Sequence, residues 1–139
     1  GFRIGKASVL VDGKDVSLVG TGQMVHACLE AAKILRKEGI SAEVVNMSTI
    51  KPLDTATLGK TISRTGCIVT AEEHSIIGGL GSAVAEYISE EGFVPLTRIG
   101  TRDTFGESGT PEELFKKYGL TAEDVASAAR KSMAKRRRS

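Results

Sequence analysis

The chain has no tryptophan, only two cysteines, no long apolar run and almost no charge imbalance. Each shortage narrows what it can be. Cys28 and Cys67 have neither metal-ligand spacing nor the density of a disulfide framework, so both are expected to be reduced, partly buried thiols. No apolar stretch approaches the roughly 20 residues that span a bilayer, and the first residues lack the charged-then-apolar layout of a signal peptide. A cytoplasmic protein without membrane contact is the expectation. The 19 Lys and Arg against 17 Asp and Glu leave a formal charge of +2, which is not the composition of a nucleic-acid binder. The basic excess gathers at Lys131, Lys135, Arg136, Arg137 and Arg138, and residues 134–139 are expected to form a disordered, solvated tail. The scarcity of aromatic rings says little about ligand stacking. The chain opens without methionine, which leaves a fragment of a longer polypeptide and a processed product both open.

What is present reads as one domain over residues 1–139, long enough for one independent core and too short for two. Ala7-Ser-Val-Leu-Val11 and Val16-Ser-Leu-Val-Gly20 are β-prone runs joined by Asp12-Gly13-Lys14-Asp15, whose turn chemistry is ascribed to a glycine that tolerates positive φ. Val25, Leu29, Ala32 and Ile34/Leu35 then recur at helical spacing, with Gly39 as the stop. A strand follows at Ala42-Glu-Val-Val-Asn-Met47. Asp54 is placed to cap a helix carrying Leu58 and Ile62 and ended by Gly66. Cys67-Ile-Val-Thr-Ala71 is a further strand, and Leu80, Val84 and Ile88 mark another helix. Val94-Pro-Leu-Thr-Arg-Ile99 is the last strand, with Pro95 marking an edge or a strand start. Thr110-Pro-Glu-Glu113 and Thr121-Ala-Glu-Asp124 open two closing helices. Strands alternating with helices imply an α/β fold with a mostly parallel sheet.

Four places could make functional contacts. Gly20-Thr21-Gly22, at a strand-to-helix junction, is half of a phosphate-binding turn; it lacks the third glycine and the acidic strand end of a dinucleotide site. Glu72-Glu73-His74-Ser75 lies just past the carboxyl end of a strand, where open α/β sheets bind ligands, and Glu73 and His74 are its candidate contacts. Gly78, Gly79 and Gly81 let backbone approach an anion or another protein surface. Phe105 sits in a polar loop, residues 102–109, suited to a partner. Each has a structural alternative: a tight turn, a hydrogen bond or helix packing. No catalytic, cofactor-binding or metal residue is assigned, because no Ser-His-Asp order or metal-ligand spacing presents itself.

Thr49-Ile-Lys-Pro-Leu-Asp54, Ala71-Glu-Glu-His-Ser-Ile-Ile-Gly-Gly-Leu-Gly-Ser-Ala-Val-Ala-Glu86 and Asp103-Thr-Phe-Gly-Glu-Ser-Gly109, in that order, resemble the C-terminal domain of transketolases. The resemblance runs from about residue 5 to residue 133 and is nearest to the separately encoded C-terminal subunit of split transketolases. The same domain in 1-deoxyxylulose-5-phosphate synthase and in 2-oxo-acid dehydrogenase beta subunits stays open as an alternative host. The resemblance implies a three-layer α/β/α fold with a five-stranded mixed, mostly parallel sheet whose first strand is antiparallel. It also implies that thiamine diphosphate and magnesium are held by other domains of the complete enzyme and not by this one. The implied partners are the remaining transketolase domains or subunit and further copies in a homo-oligomer, with sugar phosphates as substrates of the whole enzyme. That enzyme would move a two-carbon ketol unit through a carbanion stabilised by the cofactor. The chain has no Gly-Asp-Gly…Asn metal motif, so a role in assembly, inactive alone, is the expectation. A reading from another class is a stand-alone regulatory module whose two glycine turns hold an anion.

Overall fold

The computed structural model describes residues 6–50, 52–75, 79–90, 94–101, 113, 116–117 and 119–137. Strands β1 (Ser8–Val11), β2 (Val16–Gly20), β3 (Ala42–Asn46), β4 (Ile68–Ser75) and β5 (Leu96–Thr101) form one sheet in the order β1-β3-β2-β4-β5. All its pairings are parallel except β1 with β3. Among the described residues, four helices of full length cover it: α1 (Met24–Lys37), α2 (Thr55–Thr65), α3 (Leu80–Ile88) and α4 (Ala122–Arg137). Successive side chains of a strand leave opposite faces. Leu18 therefore enters a core shared with α1 and α4, and Val19 enters a second core under α2 and α3. The three-layer α/β/α architecture with a mixed five-stranded sheet stands as read. The helix expected to open at Thr110 falls mostly outside the described residues.

Two local expectations need correction. β1 and β2 are consecutive yet not paired, because β3 lies between them. Residues 12–15 therefore step across β3 instead of closing a hairpin, with Asp15 N donating to Ser41 O (2.8 Å) and Ser41 N to Asp15 Oδ2 (2.6 Å). Gly13 is not in the left-handed region; a Cβ there would stand 2.3 Å from Ala42 C and Glu43 N. Close approach of two backbones, not positive φ, demands this glycine.

The disordered tail is the second correction as far as Arg137, through which α4 continues; residues 138–139 lie outside the described residues. Lys135 Nζ donates to Leu96 O (3.0 Å), and Arg136 Nη1 donates to Asp15 O (2.9 Å) and to Thr65 O. Arg136 thus brings a cation to the carboxyl end of α2, where the helix dipole favours it. Basic residues that look like a solvated end are held by strand and helix carbonyls.

Asp54 caps α2 as expected. Its Oδ1 accepts from Thr57 N (3.1 Å), while Oδ2 accepts from Thr57 Oγ1 (2.7 Å) and from Ala7 N just before β1 (2.8 Å). Burial alone would raise its pKa, but these three bonds and nearby Lys6 outweigh burial and hold it below the ordinary value. A depressed carboxyl pKa stabilises the fold above the unfolded Asp value and loses that contribution as pH falls through the folded value. Asp54→Asn turns one of the two accepting oxygens into a donor and should cost about 1–2 kcal/mol at pH 7. The gap to wild type should shrink in acid, as urea unfolding at pH 7 and pH 3 will test. An equal gap at both would rule out ionised Asp54 as its source.

Both thiols are buried and free, more enclosed than expected. Burial pushes Cys28 up to about 12. It also raises Cys67, with Arg136 opposing and Asp15 adding to the rise. Neither thiol has the lowered pKa that makes cysteine nucleophilic.

Candidate functional site

The carboxyl ends of β2 and β4 bring two of the predicted places together. Gly20 packs under α1, where a Cβ would stand 3.0 Å from Cys28 Sγ. Thr21 N continues the parallel ladder by donating to Ala71 O (3.2 Å). Gly22 has φ of 60° and leads into the first turn of α1, which contains no acidic residue. The missing negative charge comes from β4: Glu73 Oε1 accepts from Gln23 N at 2.8 Å. A side chain on Gly22 would stand 2.6 Å from the same oxygen. The turn does receive an anion, and that anion is the chain's own carboxylate.

The second glycine turn behaves alike on the other face. The first turn of α3 also lacks an acidic residue. Glu72, one position before Glu73 and therefore pointing to the opposite side of the sheet, accepts from Leu80 N through Oε1 (2.9 Å) and from Gly81 N through Oε2 (2.8 Å). Only 1% of Glu72 is exposed, so water cannot replace these bonds. Gly79 supplies the N-cap of α3 with φ of −101°. Gly81 is buried against β5, with room for a Cβ refused by Arg98 Cδ at 2.8 Å.

His74 lies within β4, directly after this pair of carboxylates; its side chain, with Gly78 and Phe105, lies outside the described residues. His26 is exposed on α1 and lines a groove of about 680 Å³ on the flank of the domain, away from Glu72. Among the described residues no group of three or more His, Cys, Asp or Glu could hold a metal ion, and no helix is long and apolar enough to cross a membrane. The amides a diphosphate would use at α1 and α3 are bonded to Glu73 and Glu72, so these residues do not fit a diphosphate cofactor.

Sequence reasoning placed Glu72 to Ser75 past the end of a strand, whereas β4 runs through Ser75, and it gave contacts to Glu73 and His74 but no role to Glu72. A signal existed. Two adjacent glutamates follow an apolar run, and two helices begin after glycines with no acidic first turn, so their caps have to come from elsewhere.

Residues 5–125 match the sequence model of the family described as "Transketolase, C-terminal domain". The chain belongs to that family. Among its curated relatives, the 6-deoxy-6-sulfo-D-fructose transketolase subunit SqwH of Clostridium sp. (strain MSTE9) is 49% identical over 128 residues, covering 92% of this chain and 40% of the relative. The putative transketolase C-terminal section of Methanocaldococcus jannaschii is 48% identical over 135 residues, covering 96% and 42%. A solved structure described as "Split gene transketolase, inactive beta4 tetramer" superposes with a TM-score of 0.91 at 53% identity, covering 96% of this chain and 44% of that one. The chain therefore spans less than half the length of these relatives. Two of the motifs that carry the transketolase resemblance now have physical roles. Asp54 of Lys-Pro-Leu-Asp caps α2 and ties down the residue before β1. Glu72 of Glu-Glu-His joins the strand to the Gly79-Leu80-Gly81 helix start. Through Asp54 and Glu72, these two transketolase motifs mark the fold of the C-terminal domain.

Proposed function

We propose that this chain is the C-terminal domain of a longer thiamine-diphosphate-dependent transketolase, supporting subunit assembly for two-carbon ketol transfer between sugar phosphates and inactive alone. The observation that carries this reading is the closure of both glycine turns by Glu72 and Glu73. Turns closed from inside offer no free amide at Gln23, Leu80 or Gly81 to seat an external anion. That arrangement suits contact with neighbouring domains and disfavours the stand-alone anion-binding module. The cofactor, its magnesium ion and the sugar phosphates then belong to sites built by the remaining transketolase domains or subunit. No proton transfer or bond-breaking step is assigned to this chain.

The test is calorimetric titration of thiamine diphosphate with magnesium into the purified chain, followed by a ketol-transfer assay with and without the remaining transketolase subunit. No heat and no turnover are expected from the chain alone, and turnover is expected when the partner is supplied. Tight cofactor binding or ketol transfer by the chain alone would overturn the reading. A phosphate compound that raises its melting temperature would favour the regulatory module instead.

A further inference from the structure

We infer that Asp54 is a positioning residue, whose carboxylate fixes where the polypeptide enters this domain and so how a domain preceding it is held. The inference rests on the proposed reading in one respect, the existence of that preceding domain. Asp54 is almost fully buried, yet it reaches 47 residues back along the chain, where Oδ2 accepts from Ala7 N at 2.8 Å. Lys6 is held from a second side, its carbonyl accepting from Ser48 Oγ at 3.4 Å. Ala7 itself packs with Ile50 and Leu53 against the core under α2 and α3. The segment between β3 and α2 thus grips two successive residues just before β1.

The cap of α2 does not need this third bond. Thr57 N on Oδ1 already satisfies an amide of the first helical turn, and Thr57 Oγ1 occupies Oδ2 from the same residue. The bond to Ala7 joins the cap to the chain's entry instead. Its place gives it a consequence. β1 runs antiparallel to β3, so Ser8 stands level with Asn46, and through Asn46 with Gly20 and Ala71. The chain therefore enters at the carboxyl end of the parallel strands, the end that carries the Gly20-Thr21-Gly22 turn and Glu73. A backbone held at two successive residues has one direction, whereas a freed one explores many. A preceding domain attached at this entry takes its placement from the grip.

A nitroxide label at Gly5→Cys tests the grip in this chain without cofactor, substrate or partner; Cys28 and Cys67 are buried and take no label. Asp54→Ala and Ala7→Pro should each speed the label's motion about twofold or more. Ala7→Pro removes the donor N–H and leaves both Thr57 bonds in place, so it separates the grip from the cap. Thr57→Ala takes a bond from the same carboxylate, and should lower stability while leaving the label's motion as in wild type. Unchanged motion in Ala7→Pro, or equal acceleration in Thr57→Ala, would overturn the inference. In the longer polypeptide, the readout is the spread of distances between a label at Glu86→Cys, exposed on α3, and one in the preceding domain. Ala7→Pro should widen that spread about twofold, as a loosened connection does, and Thr57→Ala should not. An unchanged spread would overturn the positioning role. None of these measurements involves ketol transfer, so their failure and the failure of the proposed activity are told apart.

Discussion

Glu72→Ala is expected to destabilise the domain by about 3–5 kcal/mol, lowering the melting temperature by roughly 10–15 °C. The carboxylate makes two bonds to the backbone amides that open α3, in a place from which water is excluded. A hydrogen bond to a charged group is worth about 1.5–3 kcal/mol, and a buried amide left unpaired costs its full desolvation. Glu73→Ala is the internal comparison. Glu73 makes the same kind of bond to Gln23 N, but at the surface, where water takes its place. It should cost about 1 kcal/mol or less. Urea denaturation of the two variants separates the effects of burial and of charge. Equal losses would mean that helix-end electrostatics, common to both, dominates and that the enclosure of Glu72 is irrelevant. Glu72→Gln should fall between them, because the amide keeps one acceptor oxygen and presents an N–H donor where the other stood.

The second large effect is expected at Gly13. Gly13→Ala places a methyl carbon 2.3 Å from two backbone atoms of the Ala42-Glu43 peptide. Neither is the end of a flexible side chain, so β3 itself has to move. The loss should be about 3 kcal/mol, at the upper end of the ordinary range for overpacking. β3 also carries Glu43, and the shift would disturb the buried bonds of its carboxylate to Ser17 Oγ (3.0 Å) and Arg64 Nε (2.7 Å). Gly22→Ala is the informative contrast. It suffers left-handed strain of about 1–2 kcal/mol, but its clash is with the end of the Glu73 side chain, which can swing away. Chemical denaturation should therefore rank Gly13→Ala below Gly22→Ala in stability. The reverse order would restore positive φ as the stronger reason for glycine in this chain.

The two sites show how far sequence reading reaches. Asp54 was legible because its bonds to Thr57 close within three residues, a distance that helix geometry prescribes. Thr121 and Asp124 exchange bonds in the same way at the start of α4. Glu73, by contrast, caps a helix start 50 residues away in sequence. No spacing rule connects them until β2 and β4 are known to be neighbours. Arg136 is further still from its acceptor on Asp15, at 121 residues, and so read as a loose end. Glu43 interrupts an apolar strand with no local explanation, and only the register Ser17↔Glu43 supplies one.

The sequence by itself determined the alternation of strands and helices, the local caps, the family and the absence of any familiar catalytic spacing. These depend on periodicities of two and 3.6 residues and on bonds that close within a turn, all of which are written along the chain. Only the tertiary structure decided which strands are neighbours, which carboxylate closes which helix, why Gly13 is glycine and where the basic end is held. Those depend on contacts between segments far apart in sequence, set by the packing of the whole sheet between its helices and recorded in no local pattern.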